Sequence, residues 1–182
     1  MDVRRGLGAG AAAVLLAAGT GAQTASATVC DTGWGSTARS GPAHAAGPLT
    51  AVRAGRHLCF DRVVVEVAAP ARGAYDVRYV PTVRADGSGT RVPLRGAADL
   101  QVVVRAPAYD PDTGRLVYRP RDRRELAPTA GFRTVRQVAW AGSFEGQTTL
   151  GVGVRARLPF RVTVLPGPGR TSRVVVDVAH TW

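Results

Sequence analysis

Arg62-Val63-Val64-Val65-Glu66-Val67 returns near the end of the chain as Arg173-Val174-Val175-Val176-Asp177-Val178. Both copies are short, β-branched and bounded by turn formers, so each reads as a strand rather than a helix. In each, the second, fourth and sixth residues are Val, while the first and fifth are Arg and an acid. One face is apolar and the other is rimmed by charge, the pattern of a strand with one buried side. Two such strands, near the start and at the end of a domain, can tie its ends together.

Working outward, Tyr75, Val77 and Tyr79 alternate with Asp76 and Arg78 after the turn Ala69-Pro70-Ala71-Arg72-Gly73, and read as a hairpin partner of the first strand. Leu100, Val102 and Val104 form another apolar row, as do Leu150, Val152 and Val154, opposite Gly151 and Gly153. Residues 134–141 are β-like with unclear parity, which a bulge explains. Phe160, Val162 and Val164 alternate with Arg161 and Thr163. Asp86-Gly87-Ser88-Gly89, Asp110-Pro111-Asp112-Thr113-Gly114 and Pro166-Gly167-Pro168-Gly169 are turns. The second resembles a calcium loop only at its start, because the later ligands and terminal Glu are missing. Residues 119–131 carry clustered Arg, Pro and acids and read as an exposed connection. No stretch keeps a 3.6-residue apolar period. The fold class expected is all-β, a single β-sandwich or partly closed barrel of about seven or eight short strands.

Arg4 and Arg5, the Gly/Ala/Leu-rich run from Leu7 to Ala22 and the small-x-small site Ala25-Ser26-Ala27 read as a secretory signal peptide over residues 1–27. The run falls short of the ~20 apolar residues that span a bilayer. Cleavage after Ala27 leaves 155 residues, enough for one domain with a core of its own. Its formal charge is +10, and every basic residue is Arg. Such a charge favours anionic partners, and export argues against nucleic acid among them. Cys30 and Cys59 are the two cysteines, and an oxidising compartment favours their pairing. Residues 31–56 are rich in Gly, Ala, Ser and Pro with little hydrophobic pattern, and the bridge would fasten the stretch from Cys30 to Ser36 to the first long strand. A reactive or metal-binding pair has no Cys-x-x-Cys spacing to support it.

No catalytic set stands out. His57 lies near Asp61, His44 in the weakly patterned segment and His180 three residues after Asp177. Ser88 or Ser143 with His180 and Asp177 makes a triad on paper only, and Glu145 with Asp177 a glycosidase pair only if their separation suits. The plainer account pairs Asp61, Glu66 and Asp177 with neighbouring arginines at strand edges. No two histidines stand at metal-ligand spacing, so neither a metal nor a cofactor is expected.

Cys30-x-x-x-Trp34-Gly35-Ser36, Gly55-x-His57-x-Cys59-Phe60-Asp61-Arg62-Val63-Val64 and Phe144-Glu145-Gly146-Gln147-Thr148-Thr149 occur in this order. Gly151-x-Gly153-Val154-Arg155, Leu158-Pro159-Phe160-Arg161-Val162 and Arg173-Val174-Val175-Val176-Asp177 follow. Together, from about Cys30 to Trp182, they resemble the actinobacterial secreted proteins with an AMIN-like domain, distantly related to the AMIN modules of amidases and secretins. The resemblance implies a small β-sandwich of the cell envelope, with residues 28–56 as a disulfide-tethered N-terminal segment and 57–182 as the AMIN-like domain. AMIN modules target host proteins to peptidoglycan or to envelope partners, yet this chain carries no attached amidase or pilus domain. The function expected is a secreted, non-catalytic module that binds peptidoglycan or an anionic wall polymer. The alternatives are a protein-interaction module, as an assembly factor or inhibitor, and a wall-active hydrolase.

Two surfaces are candidates for binding. Phe144, Glu145 and Gln147 combine an aromatic ring, an acid and an amide in a loop between strands, a mixture suited to polar ligands such as glycans. The alternative is that Phe144 caps the core and Gly146 only makes the turn. Arg78 and Arg161, with Arg62, Arg105, Arg155 and Arg173, lie opposite apolar rows and so point outward. They form one phosphate-binding patch if they share a sheet, and none if they are divided or neutralised by Glu66, Asp76 and Asp177.

Overall fold

The structure, a computed structural model, describes residues 30, 32–41, 47–70 and 74–182. The expected leader and His44 lie outside the described residues. Nine strands form in chain order among the described residues: β1 (Arg39–Ser40), β2 (Leu49–Arg56), β3 (Phe60–Val67), β4 (Tyr75–Val80), β5 (Ala98–Val104), β6 (Val135–Phe144), β7 (Gln147–Val154), β8 (Phe160–Pro166) and β9 (Ser172–Ala179). They make two antiparallel sheets, ordered β1-β4-β5-β7-β6 and β2-β3-β9-β8, and neither closes into a barrel.

The repeated hexapeptides are neighbours. β3 and β9 pair with Val63 opposite Val176, Val65 opposite Val174, Arg62 opposite Asp177 and Glu66 opposite Arg173. An Arg-x-x-x-acid pattern laid antiparallel on its own copy sets unlike charges across from each other, which favours this register over a slipped one. Val63, Val65, Val67, Val174, Val176 and Val178 all point into the core. They meet Leu100, Val102 and Val104 of β5 and Leu150, Val152 and Val154 of β7 across the sandwich.

Three expectations change. β4 is not the hairpin partner of β3: it pairs with β1 and β5 in the other sheet, and β3 takes β2 and β9. Alternation identifies a half-buried strand but not its neighbour. Residues 49–56, read as part of a weakly patterned segment, form the edge strand β2 on β3, with a bulge between Leu49 and Ala51 that breaks the alternation. Residues 119–131 are more than an exposed connection. Trp140 N–H donates to Arg123 O and Leu126 N–H to Val138 O, so this segment lies along the free edge of β6, with Ala127 and Thr129 buried. Covering an edge in this way blocks its pairing with another chain.

The outer face of β7 is covered as well. Leu94 and Val83 pack over Gly151, and a Cβ on Gly153 would stand 2.0 Å from the Arg95 carbonyl oxygen. Glycine on that face is what lets the 81–97 connection lie flat against the sheet.

Candidate functional site

Most of the segments that carry the family resemblance converge on one end of the sandwich, while Phe144–Thr149 lies at the other. Cys30 and Cys59 are bonded, with their Cα atoms 5.2 Å apart. Trp34 and Phe60 pack as tilted rings with centres 5.6 Å apart, His57 stacks on Phe60 at 4.5 Å, and the Arg161 guanidinium lies 4.3 Å from the Trp34 ring centre. Arg62 and Arg161, on the strands either side of β9, both donate to the buried carboxylate of Asp177. Glu66 pairs with Arg53 instead of Arg173.

Asp61 corrects the expectation of an arginine partner. It shares the inward parity of Val63 and Val65 and is 0% exposed. Its Oδ2 accepts from the backbone N–H groups of Thr134 (2.6 Å) and Val135 (3.0 Å). Its Oδ1 lies 3.2 Å from Nε2 of His180, which is 4% exposed and sets Nδ1 3.2 Å from the Leu58 carbonyl oxygen. His180 is therefore a buried tie between β9, the disulfide loop and the start of β6, not an ordinary strand-end residue. Both its ring nitrogens face oxygen partners, which leaves none to activate a nucleophile. The parity of Asp61 with two core valines was the signal that could have placed it.

The paper triads are not assembled. His180 sits on Asp61 rather than Asp177, and Ser143 lies at the far end of β6 from Val135, where Asp61 binds. Glu145 stands on that far hairpin, whereas Asp177 lies under two arginines of the other sheet. Among the described residues, no three His, Cys, Asp or Glu side chains gather as a metal site.

At that far end, β6 and β7 join through Glu145 and Gly146, whose φ angles of 48° and 79° make the two-residue turn that matches strand twist. Phe144 faces Gln147 across the hairpin and is 51% exposed, so it does not cap the core. Three polar bonds hold the hairpin against the segment after β5. Ala108 N–H donates to Ser143 Oγ at 2.8 Å, Gly146 N–H to the Tyr109 hydroxyl at 3.2 Å, and Thr148 Oγ1 to Ala106 O at 2.7 Å.

Beside this hairpin opens a cavity of about 480 Å³ lined by Asp86, Tyr109, Tyr118, Arg119, Arg123 and Trp140, among others. Trp140 comes from β6 and stands 5.8 Å from the Tyr118 ring. Asp86 arrives from the turn over β7: its N–H donates to Ala141 O at 2.7 Å. The bulge at Gly142 permits this approach, since a Cβ there would meet the Asp86 Cβ at 3.0 Å and φ is +122°. Neither Asp86 carboxylate oxygen accepts a hydrogen bond among the described residues, and Oδ2 is buried. Burial raises the Asp86 carboxyl above its ordinary value. The neighbouring Thr149 hydroxyl acts in the opposite direction and offsets this only in part. Arg119 and Arg123 are exposed and have no ion-pair partner among the described residues.

Phe144, Glu145 and Gln147 share the β6–β7 hairpin, just beyond Gly142 and Ser143, which line the groove, but do not line it themselves. Arg78 and Arg161 are not brought together. Arg78 lies on β4 beside Asp76, while Arg161 belongs to β8 in the other sheet and is paired to Asp177. The groove itself escaped sequence reading, because Asp86, Tyr109, Tyr118 and Trp140 come from separate segments that carry no shared motif.

Residues 47–180 match the AMIN-like domain family. No curated protein and no solved structure gives a match. No helix among the described residues is long and apolar enough to cross a membrane. A disulfide and this family are both compatible with an extracellular or envelope location. The chain belongs to the AMIN-like domain family, generally non-catalytic modules related to the cell envelope and its binding functions.

Proposed function

We propose that the protein is a non-catalytic binding module that recognises peptidoglycan through the groove beside the β6–β7 hairpin. The observation that carries this reading is the groove's unspent chemistry. Its aromatic rings stay partly exposed, its carboxylate has no protein donor, and a half-exposed Phe144 follows the lining residue Ser143. Sugar rings stack on aromatic faces and donate hydroxyl and amide hydrogens to carboxylates, so this surface suits a polar polymer with apolar faces. Gln147 adds an amide and Glu145 an acid on the same hairpin. The exposed arginines, divided between the sheets, supply a general attraction for polyanions such as phosphate-bearing wall polymers rather than a shaped site.

Pelleting with purified sacculi tests this. Phe144→Ala with Gln147→Ala, and separately Tyr118→Ala, should cut retention several-fold without moving the unfolding midpoint by more than about 0.5 kcal/mol for the hairpin pair. Unchanged retention in both variants overturns the groove assignment. Recovery of one stoichiometric protein partner, with no retention on sacculi, favours the assembly-factor or inhibitor reading instead.

A further inference from the structure

The groove's charges narrow its ligand further, on the assumption that the groove is the binding site. Asp86 contributes a carboxylate that lacks a donor, and Arg119 and Arg123 contribute two guanidiniums that lack an acid. A bare amine would satisfy Asp86 but would meet a net positive rim. A bare carboxylate would satisfy the arginines and leave Asp86 unmatched. A neutral sugar stacks on Tyr118 and Trp140 yet neutralises neither charge. A group that carries both an ammonium and a carboxylate matches all of these features at once. Its ammonium donates to Asp86 and lies against the faces of Tyr109, Tyr118 and Trp140, which attract cations. Its carboxylate takes the guanidinium forks, which are built for that geometry.

From this juxtaposition of an unpaired carboxylate, three aromatic rings and two unpaired arginines, we infer that the groove binds a zwitterionic amine–carboxylate head, as on an amino acid with a free side-chain amine in a wall peptide. The glycan then contributes stacking around Phe144 rather than the central contact. Binding involves no covalent step.

Three probes separate the charges: Nα-acetyl-lysine carries both, its C-terminal amide only the amine, and Nα,Nε-diacetyl-lysine only the carboxylate. Titrated into the isotope-labelled protein and followed by NMR, the first should bind about tenfold more tightly than either other, with shifts centred on Trp140 and Tyr118. Asp86→Asn should abolish the advantage of the free amine and leave that of the carboxylate. Arg119→Gln with Arg123→Gln should do the reverse, and Asp86→Ser repeats the first test if the Asn variant folds poorly. Equal affinity for all three probes, or an amine preference that survives both Asp86 variants, overturns the inference. Sacculus pelleting is run in parallel. Retention with no discrimination among probes sinks the head-group inference alone. Discrimination without retention supports the head-group inference and sinks the peptidoglycan reading.

Discussion

The two ends of the sandwich treat their polar groups in opposite ways. At the disulfide end, buried polar side chains are matched: Asp61 has two backbone donors and His180, and Asp177 has two arginines. At the hairpin end the matching is incomplete: Thr148 and Ser143 are bonded, but other buried polar atoms are not. The buried atoms without a hydrogen bond among the described residues belong to Asp76, Asp86, Thr149 and Arg173. By strand register these lie at the levels of Val103, Gly142 and Glu66, away from the cysteines. A matched buried group stabilises one structure, whereas an unmatched one costs free energy until a ligand supplies its partner. The segments that carry the family resemblance mostly build the matched end, which makes them evidence for a scaffold. Function is better sought at the other end.

Asp61→Ala is the strongest way to break this comparison. It strips the acceptor from Thr134 N–H, Val135 N–H and His180 inside the core, and should cost about 3–5 kcal/mol in urea unfolding. A loss below about 1 kcal/mol would show that the matched end is not the scaffold. Next is the disulfide. Its closed loop of 29 residues contributes about 3–4 kcal/mol on the chain-entropy model. Reduction should lower the midpoint by that order and free the Trp34 segment, read as loss of the Trp34 ring-current shifts, while sacculus retention of the folded fraction persists. Retention that vanishes on reduction would move the binding site to the disulfide end.

The smallest effect concerns Asp86 and pH. Burial raises its folded-state value above the unfolded one. Between those two values the folded chain holds a proton that the unfolded chain has released. Stability should therefore fall as pH climbs from the ordinary carboxylate range through the raised value, then level off. Asp86→Asn should remove that slope and leave the protein no less stable at neutral pH. A slope unchanged in the variant would assign it to another carboxyl.

The amino-acid sequence alone determined the two valine strands and their inward faces, the cysteine pairing, the turns at Asp86–Gly89, Asp110–Gly114 and Pro166–Gly169, and the hairpin that carries Phe144 and Gln147. These are local: each follows from period-two alternation, turn chemistry or the presence of two cysteines, and needs no knowledge of what lies across the core. Tertiary structure decided what locality cannot. Whether β4 joins β3 or the opposite sheet depends on which free edge is nearer after collapse, and alternation is identical in both cases. The ring of His180 meets Asp61 only because β9 lies on β3, which brings residues 119 apart in sequence into contact. The groove gathers Asp86, Tyr118 and Trp140 from a turn, a covering segment and a bulged strand. Its charge balance is a property of that packing alone, since Asp86 and the arginines at 119 and 123 come from different segments.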